Sequence, residues 1–122
     1  MKPLFFIQWD ASKDCNLVCS HCYHNFQEEN LGIMSSSEVQ RMIDDLVLTS
    51  KSWSFQPALH LSGGEPLLRK DLLEVIGYAV KKGVRTRILT NGTLITQKKA
   101  KELADVGVER IQISIDGNRE TH

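Results

Sequence analysis

An α/β fold built on a parallel sheet is what this sequence predicts, and three observations lead there. Short β-rich runs begin near residues 4, 58, 84 and 109. Between them lie segments whose apolar residues recur with a helical period. The last three runs start about 25 residues apart, the length of one strand–helix unit. Such alternation implies parallel strands joined by right-handed crossovers.

Each element has its own signal. Residues 4–10, LFFIQWD, are apolar and aromatic over a strand's length and read as a buried strand. Residues 11–34 are polar and read as a long loop, which in a compact domain is either functional or disordered. Ser35 and Glu38 have capping-box spacing, and Met34 is placed to staple onto Val39. Val39, Met42, Ile43, Leu46 and Val47 then form one helical stripe. Residues 51–57 read as a connector, and 58–62 as a short strand running into Gly63-Gly64-Glu65-Pro66. Asp71 and Glu74 open a second helix with Leu72, Leu73, Ile76, Ala79 and Val80 inward and Gly83 at its end. Residues 84–90 form the next strand, which stops at Asn91-Gly92. Thr96 caps a helix through Val106, with Ala100, Leu103 and Ala104 inward and Gly107 after it. Residues 109–116 form the last strand.

Composition narrows the class. The chain is 41% hydrophobic and 25% charged, with zero net charge, as expected of one ordinary globular domain. That balance gives no support to a nucleic-acid or anionic membrane partner. The longest apolar run, LFFI, is too short to cross a bilayer and lacks a signal-peptide cleavage site, so a cytoplasmic protein is expected. In a reducing compartment, clustered cysteines point to metal or catalysis rather than a disulfide. Here there are 3, an odd number.

All of them, Cys15, Cys19 and Cys22, fall in the stretch DCNLVCSHCYH. Thiolates are preferred ligands of iron–sulfur clusters and of zinc. Three thiolates can hold three irons of a [4Fe–4S] cube and leave the fourth open. Alternatively His21 or His24 completes a Cys3His zinc site, although a second cysteine knuckle is absent. Gly63 and Gly64 allow close backbone approach to a ligand, and Glu65 can accept from an ammonium. The plain alternative is a turn closed by Pro66. Asn91-Gly92 is first of all a turn dipeptide. Ser114 and Asp116 alternate with Ile113 and Ile115; if the isoleucines face the helices, the polar pair faces inward. His60, between Leu59 and Leu61, fits a satisfied core histidine, and Gln8 can face the same side. Lys98, Lys99 and Lys101 form a solvated helix face. Ligands of parallel α/β folds sit at the carboxyl ends of the strands. The cysteine loop, residues 63–70, residues 91–95 and the end of the last strand are therefore expected at one rim.

CNLVCSHCY, followed in order by SGGEP, TNGT and SIDG, closely resembles the radical S-adenosylmethionine (radical SAM) superfamily. The resemblance implies that Cys15, Cys19 and Cys22 hold a [4Fe–4S] cluster whose open iron takes the amino and carboxylate groups of SAM. It places the backbone of Tyr23 at the adenine, and Gly63, Gly64, Glu65 and Pro66 near the SAM amino group. Asn91 matches the pattern after the third strand, and Ser114 and Asp116 the strand beside the ribose and carboxylate. It implies a partial parallel (β/α) barrel with four strands and three helices of six units, so residues 1–122 are expected to be the N-terminal portion of a core domain. The implied activity is reductive cleavage of SAM to a 5′-deoxyadenosyl radical that abstracts hydrogen from a substrate. A flavodoxin- or ferredoxin-type one-electron donor is the implied partner. The opening segment and GGEPLLRKDLLEVI resemble the SPASM-type maturase branch, which points to a peptide or protein substrate. The alternative is a small molecule of haem, quinone or molybdenum cofactor biosynthesis. A non-enzymatic zinc- or Fe–S-binding module is the competing class; it leaves the meeting of GGEP and SIDG unexplained.

Overall fold

A computed structural model describes residues 2–13 and 33–115 of the chain. The expectations for Cys15, Cys19, Cys22, Tyr23 and Asp116, and for His21 and His24, lie outside the described residues. Four strands alternate with three helices: β1 (Leu4–Ser12), α1 (Ser36–Ser52), β2 (Gln56–Gly63), α2 (Leu72–Lys81), β3 (Arg85–Thr90), α3 (Gln97–Val106) and β4 (Arg110–Ile113). A short 3-10 turn, Pro66–Leu68, follows β2. All strand pairs are parallel, in the order β1-β2-β3-β4. Strand order never reverses, so the helices share one face, as in a (β/α) barrel rather than a doubly wound sheet. The fold is α/β, and the sheet is an arc of a parallel barrel.

The core lies between that face and the helices. Trp9, Leu59, Leu61 and Ile88 meet Val39, Ile43, Leu46, Val75, Ile76, Ala79 and Leu103. The other face is open: Leu4 and Phe6 are 48% and 51% exposed. β1 is thus not the buried strand its apolar run suggests; it alternates between a covered and an open face. Beyond β3, Ile113 and Ile115 are 47% and 69% exposed, so β4 has little cover on its helix side. No helix among the described residues is long and apolar enough to cross a membrane.

Local chemistry explains the boundaries. The Ser35 hydroxyl accepts from the Glu38 amide at 3.3 Å, and the Glu38 carboxylate accepts from the Ser35 amide at 2.7 Å, a complete capping box. α1 runs on to Ser52, into the expected connector, and Trp53 packs edge-on against Phe5 at 5.5 Å. α2 buries Leu72, Val75, Ile76 and Ala79; Val80 sits at the margin and Leu73 is half-buried, so the stripe is rotated towards Val75. α3 is capped by the Thr96 hydroxyl, which accepts from the Lys99 amide at 3.1 Å, and ends at Gly107 with φ 100°. In α3 only Leu103 is buried, whereas Ala100 and Ala104 are exposed. Their methyl groups are too short to reach the sheet from beside the Leu103 stripe.

Candidate functional site

The rim is built where β1 and β2 end. Pairing shifts by one residue between Asp10 and Ser12, and Ser12 comes to lie beside Gly63. Gly63 has φ 108°, and a Cβ placed there would lie 2.5 Å from the Ser12 carbonyl oxygen. Only glycine fits both constraints. The Gly64 amide then donates to the same carbonyl at 2.7 Å. Ser62, buried, donates its hydroxyl to Asp10 Oδ1 at 3.2 Å. The glycine pair therefore presses the end of β2 against the point where the chain enters the cysteine segment.

Glu65 ties this corner to β3. It is fully buried and accepts from three donors: the Thr90 hydroxyl at 2.5 Å, the Asn91 amide at 2.9 Å and the Leu67 amide at 3.2 Å. Thr90 and Leu67 share Oε1, and Asn91 takes Oε2. Pro66, buried, sets the first position of the 3-10 turn, where its missing N–H is not needed. Asn91 Oδ1 accepts from the Thr93 amide at 3.0 Å and hydroxyl at 2.7 Å, the turn role its sequence suggests. The Ser114 amide donates to the Thr90 carbonyl at 3.1 Å, and Ser114 is exposed just past β4. Gly63, Gly64, Glu65, Pro66, Asn91 and Ser114 thus follow one another along a single hydrogen-bonded rim.

Arg69 is a site residue that sequence reasoning missed. Its guanidinium donates to the Ala11 carbonyl at 3.2 Å and to the Met34 carbonyl at 2.9 Å, one on each side of the cysteine segment. It also pairs with Asp71 at 2.6 Å and lies 4.9 Å from the centre of the Trp9 ring. Asp71 in turn accepts from the Ser36 hydroxyl. That explains why Asp71 sits at the N-cap of α2 without a capping bond: its oxygens are already taken. Burial pushes the Asp71 carboxyl up, but the Ser36 hydroxyl and Arg69 hold it below the usual range. The only sequence signal was an Arg-x-Asp pair inside an otherwise apolar turn, because the partners of Arg69 are remote in sequence.

Removing this clamp has a defined expected cost. Arg69→Met leaves two backbone carbonyls and a partly buried carboxylate without their charged donor, and should destabilise the protein by about 3 kcal/mol. Arg69→Lys should recover less than half, because one ammonium cannot reproduce the fork. Urea unfolding midpoints measure both; equal stability of the lysine variant and the parent would contradict the clamp.

The open face carries a second grouping. Register places Gln8, His60, Arg87 and Arg110 in one row across the four strands. His60 is stacked on Phe6, with ring centres 4.4 Å apart and planes at 16°, so it is not an enclosed core histidine. Partial burial, then the nearby Arg87 charge, lowers its pKa. Arg85 forms an ion pair with Glu109. His60, Arg87 and Arg110 line a cavity of about 220 Å³. The alternation of Arg85 and Arg87 with buried Thr86 and Ile88 was visible in the sequence and would have found this face. A larger groove, about 540 Å³, lies between β1 and α1 and contains none of the motif residues.

Among the described residues no three His, Cys, Asp or Glu side chains gather as a metal site. The three thiols belong to the segment whose two flanks Arg69 joins, and their chemistry suits iron or zinc. Comparison with known proteins agrees with the fold. Fe-coproporphyrin III synthase of Methanosarcina barkeri (strain Fusaro / DSM 804) is 43% identical over 99% of this chain and 29% of its own length. PqqA peptide cyclase of Rhodopseudomonas palustris (strain ATCC BAA-98 / CGA009) is 32% identical over 88% of this chain and 27% of its own. The solved structure of native anSMEcpe with bound AdoMet and Cp18Cys peptide matches with TM-score 0.71 and 27% identity, covering 98% of this chain and 33% of that one. The chain thus spans less than a third of the curated relatives named here. Residues 11–122 match the family described as Radical SAM superfamily.

Proposed function

Because this chain belongs to the radical SAM superfamily, we propose that it forms the cluster- and SAM-binding part of an enzyme that cleaves SAM reductively and abstracts hydrogen from a substrate. The observation that carries this is the shared rim: the flanks of the cysteine segment, Gly63–Pro66, Asn91 and Ser114 meet at the carboxyl ends of the four strands. A zinc module gives no reason for that meeting.

The donor set fits the cluster. Cys15, Cys19 and Cys22 would hold three irons and leave one open for SAM. When bound, the cluster and SAM supply the one-electron cleavage chemistry. The chain's own residues supply position. Gly63 and Gly64 keep backbone without side chains at the corner. Glu65, buried, fixes this corner of the rim through its bonds to Thr90, Asn91 and Leu67 and so would hold the backbone that meets the SAM ammonium. Ser114 stands at the rim on the open-face register, next to the expected place of Asp116. Tyr23 is assigned to the adenine side. A flavodoxin- or ferredoxin-type protein in the cytoplasm would supply the electron.

For the substrate, the tetrapyrrole class is favoured. Identity to Fe-coproporphyrin III synthase is 43%, against 32% to the peptide cyclase. A peptide or protein is the second reading, supported by that cyclase and by the solved structure with bound peptide.

Anaerobic reconstitution with iron and sulfide, followed by EPR of the dithionite-reduced full-length protein, tests the proposal. A [4Fe–4S] signal should appear, shift on addition of SAM, and vanish in the Cys15/Cys19/Cys22→Ala variant. Stoichiometric zinc with no cluster would overturn it.

A further inference from the structure

The face of the sheet opposite the helices combines two features that the rim chemistry does not use. The first is a stacked aromatic pair. Phe6, 51% exposed, stacks on His60 with a centroid separation of 4.4 Å. A half-exposed phenyl ring on the concave side of a barrel arc has apolar surface to offer a ligand. The second is cationic. Arg87 stands beside His60 in register, and Arg110 stands beside Arg87. The one acidic group near them, Glu109, is held by both guanidinium nitrogens of Arg85 that face it. Arg87 and Arg110 make no hydrogen bond or ion pair among the described residues. Both also help, after Arg85, to hold the Glu109 carboxyl below its usual range, and two guanidinium forks side by side whose hydrogen bonds are not taken are the donor geometry for carboxylates.

Size and position limit the ligand further. The cavity beside the arginines is walled by His60, Arg87 and Arg110 together with the Arg85–Glu109 pair, and at about 220 Å³ it is below the roughly 300–1,000 Å³ of a pocket that swallows a whole ligand. It suits charged arms rather than a ring system. Ser114, at the rim, lies four residues beyond Arg110, about 13 Å along the strand. A ligand anchored at the arginines therefore extends upward along the open face towards the place where the radical is generated.

We propose that Arg87 and Arg110, beside the Phe6–His60 stack, form the subsite for the carboxylate arms of a flat, conjugated polycarboxylate substrate. This rests on the radical SAM reading above, and deepens it by assigning the residues that recognise the substrate. A tetrapyrrole with carboxylate side chains has both required features. A peptide lacks the rigid conjugated plane that the exposed part of the Phe6 ring can pack against.

The test is a titration of the full-length, reconstituted protein with iron coproporphyrin III, followed by the shift of its main absorbance band. R87Q and R110Q should each weaken binding by about 10- to 100-fold, and the double variant by more. R87K, which keeps the charge but not the fork, should fall between R87Q and the parent. The tetramethyl ester of the same macrocycle should bind weakly and to the same extent in all variants. Formation of 5′-deoxyadenosine from SAM is measured in parallel, without substrate. If the parent cleaves SAM but does not bind the macrocycle saturably, or if R87Q/R110Q binds it as tightly as the parent, the subsite is wrong and the parent reading stands. Saturable binding of an acidic peptide at these arginines in place of the macrocycle would also overturn it. A protein that holds a cluster yet never cleaves SAM would instead remove the reading on which the subsite rests.

Discussion

Replacing Glu65 with alanine should cost about 3–5 kcal/mol, a large share of a domain's net stability. The carboxylate is fully buried and accepts from the Thr90 hydroxyl, the Asn91 amide and the Leu67 amide. Each donor left without a partner costs about 1–3 kcal/mol, although the Thr90 hydroxyl can turn to another acceptor. A typical domain has only about 5–15 kcal/mol to lose. Glu65→Gln is the sharper variant. It keeps shape and one oxygen but turns a donor towards either Oε1's two donors or Asn91. It should lose about 1–3 kcal/mol. Chemical denaturation of the three proteins decides the matter. A glutamine variant as stable as the parent would mean that the three bonds do not hold the corner. Because the same residue fixes the backbone of the rim, SAM binding should fall in both variants, and the stability measurement separates loss of fold from a shifted rim.

Gly63→Ala should be nearly as severe, for a different reason. The substitution forces an L-residue to φ 108° and drives its methyl group to 2.5 Å from the Ser12 carbonyl oxygen. Backbone strain of this kind costs about 1–3 kcal/mol, and the contact adds to it because a backbone atom cannot swing aside. Gly83→Ala is the matched control: φ there is 81°, yet nothing lies within 4 Å of the added carbon. It should cost about 1 kcal/mol. The difference between the two thermal or urea midpoints isolates the clash. Iron bound per chain after reconstitution should also drop in Gly63→Ala and not in Gly83→Ala. Equal losses in both would leave the close approach of β1 and β2 without energetic weight.

Much of the architecture was legible because it is local. The Ser35–Glu38 box, the Thr96 cap and Gly107 beyond α3 depend on residues within one helical turn of each other, and all three form as their spacing implies. The order of strands and helices follows from periodicity, and so does the parallel sheet; its closure into a barrel arc was implied only by the family resemblance. What escaped depends on partners far apart in sequence. Asp71 looks like a helix cap, but Arg69 and Ser36 claim its oxygens. Arg69 looks like a turn cation, but its carbonyl partners lie 58 and 35 residues away. Glu65 lies in the GGEP segment that resembles the family motif, yet its commitment to Thr90 and Asn91 was not foreseen, because nothing in GGEP names the strand it will lean on. Ala100 and Ala104 fit a helical stripe by spacing and fail by reach.

The Arg69 clamp also bears on how freely this part of the chain can change. The Ala11 and Met34 carbonyls are joined through one guanidinium, and both contacts are to backbone. Those two ends are therefore held without using the side chain of either flank. Substitution of the Ala11 or Met34 side chain leaves this tie in place, because only their carbonyls are used. Substitutions at Arg69, Asp71 or Gly63 have no such latitude. Tolerance to sequence change is thereby separated from preservation of the scaffold: the two flanks can vary in side chain, while the residues that hold their backbone cannot.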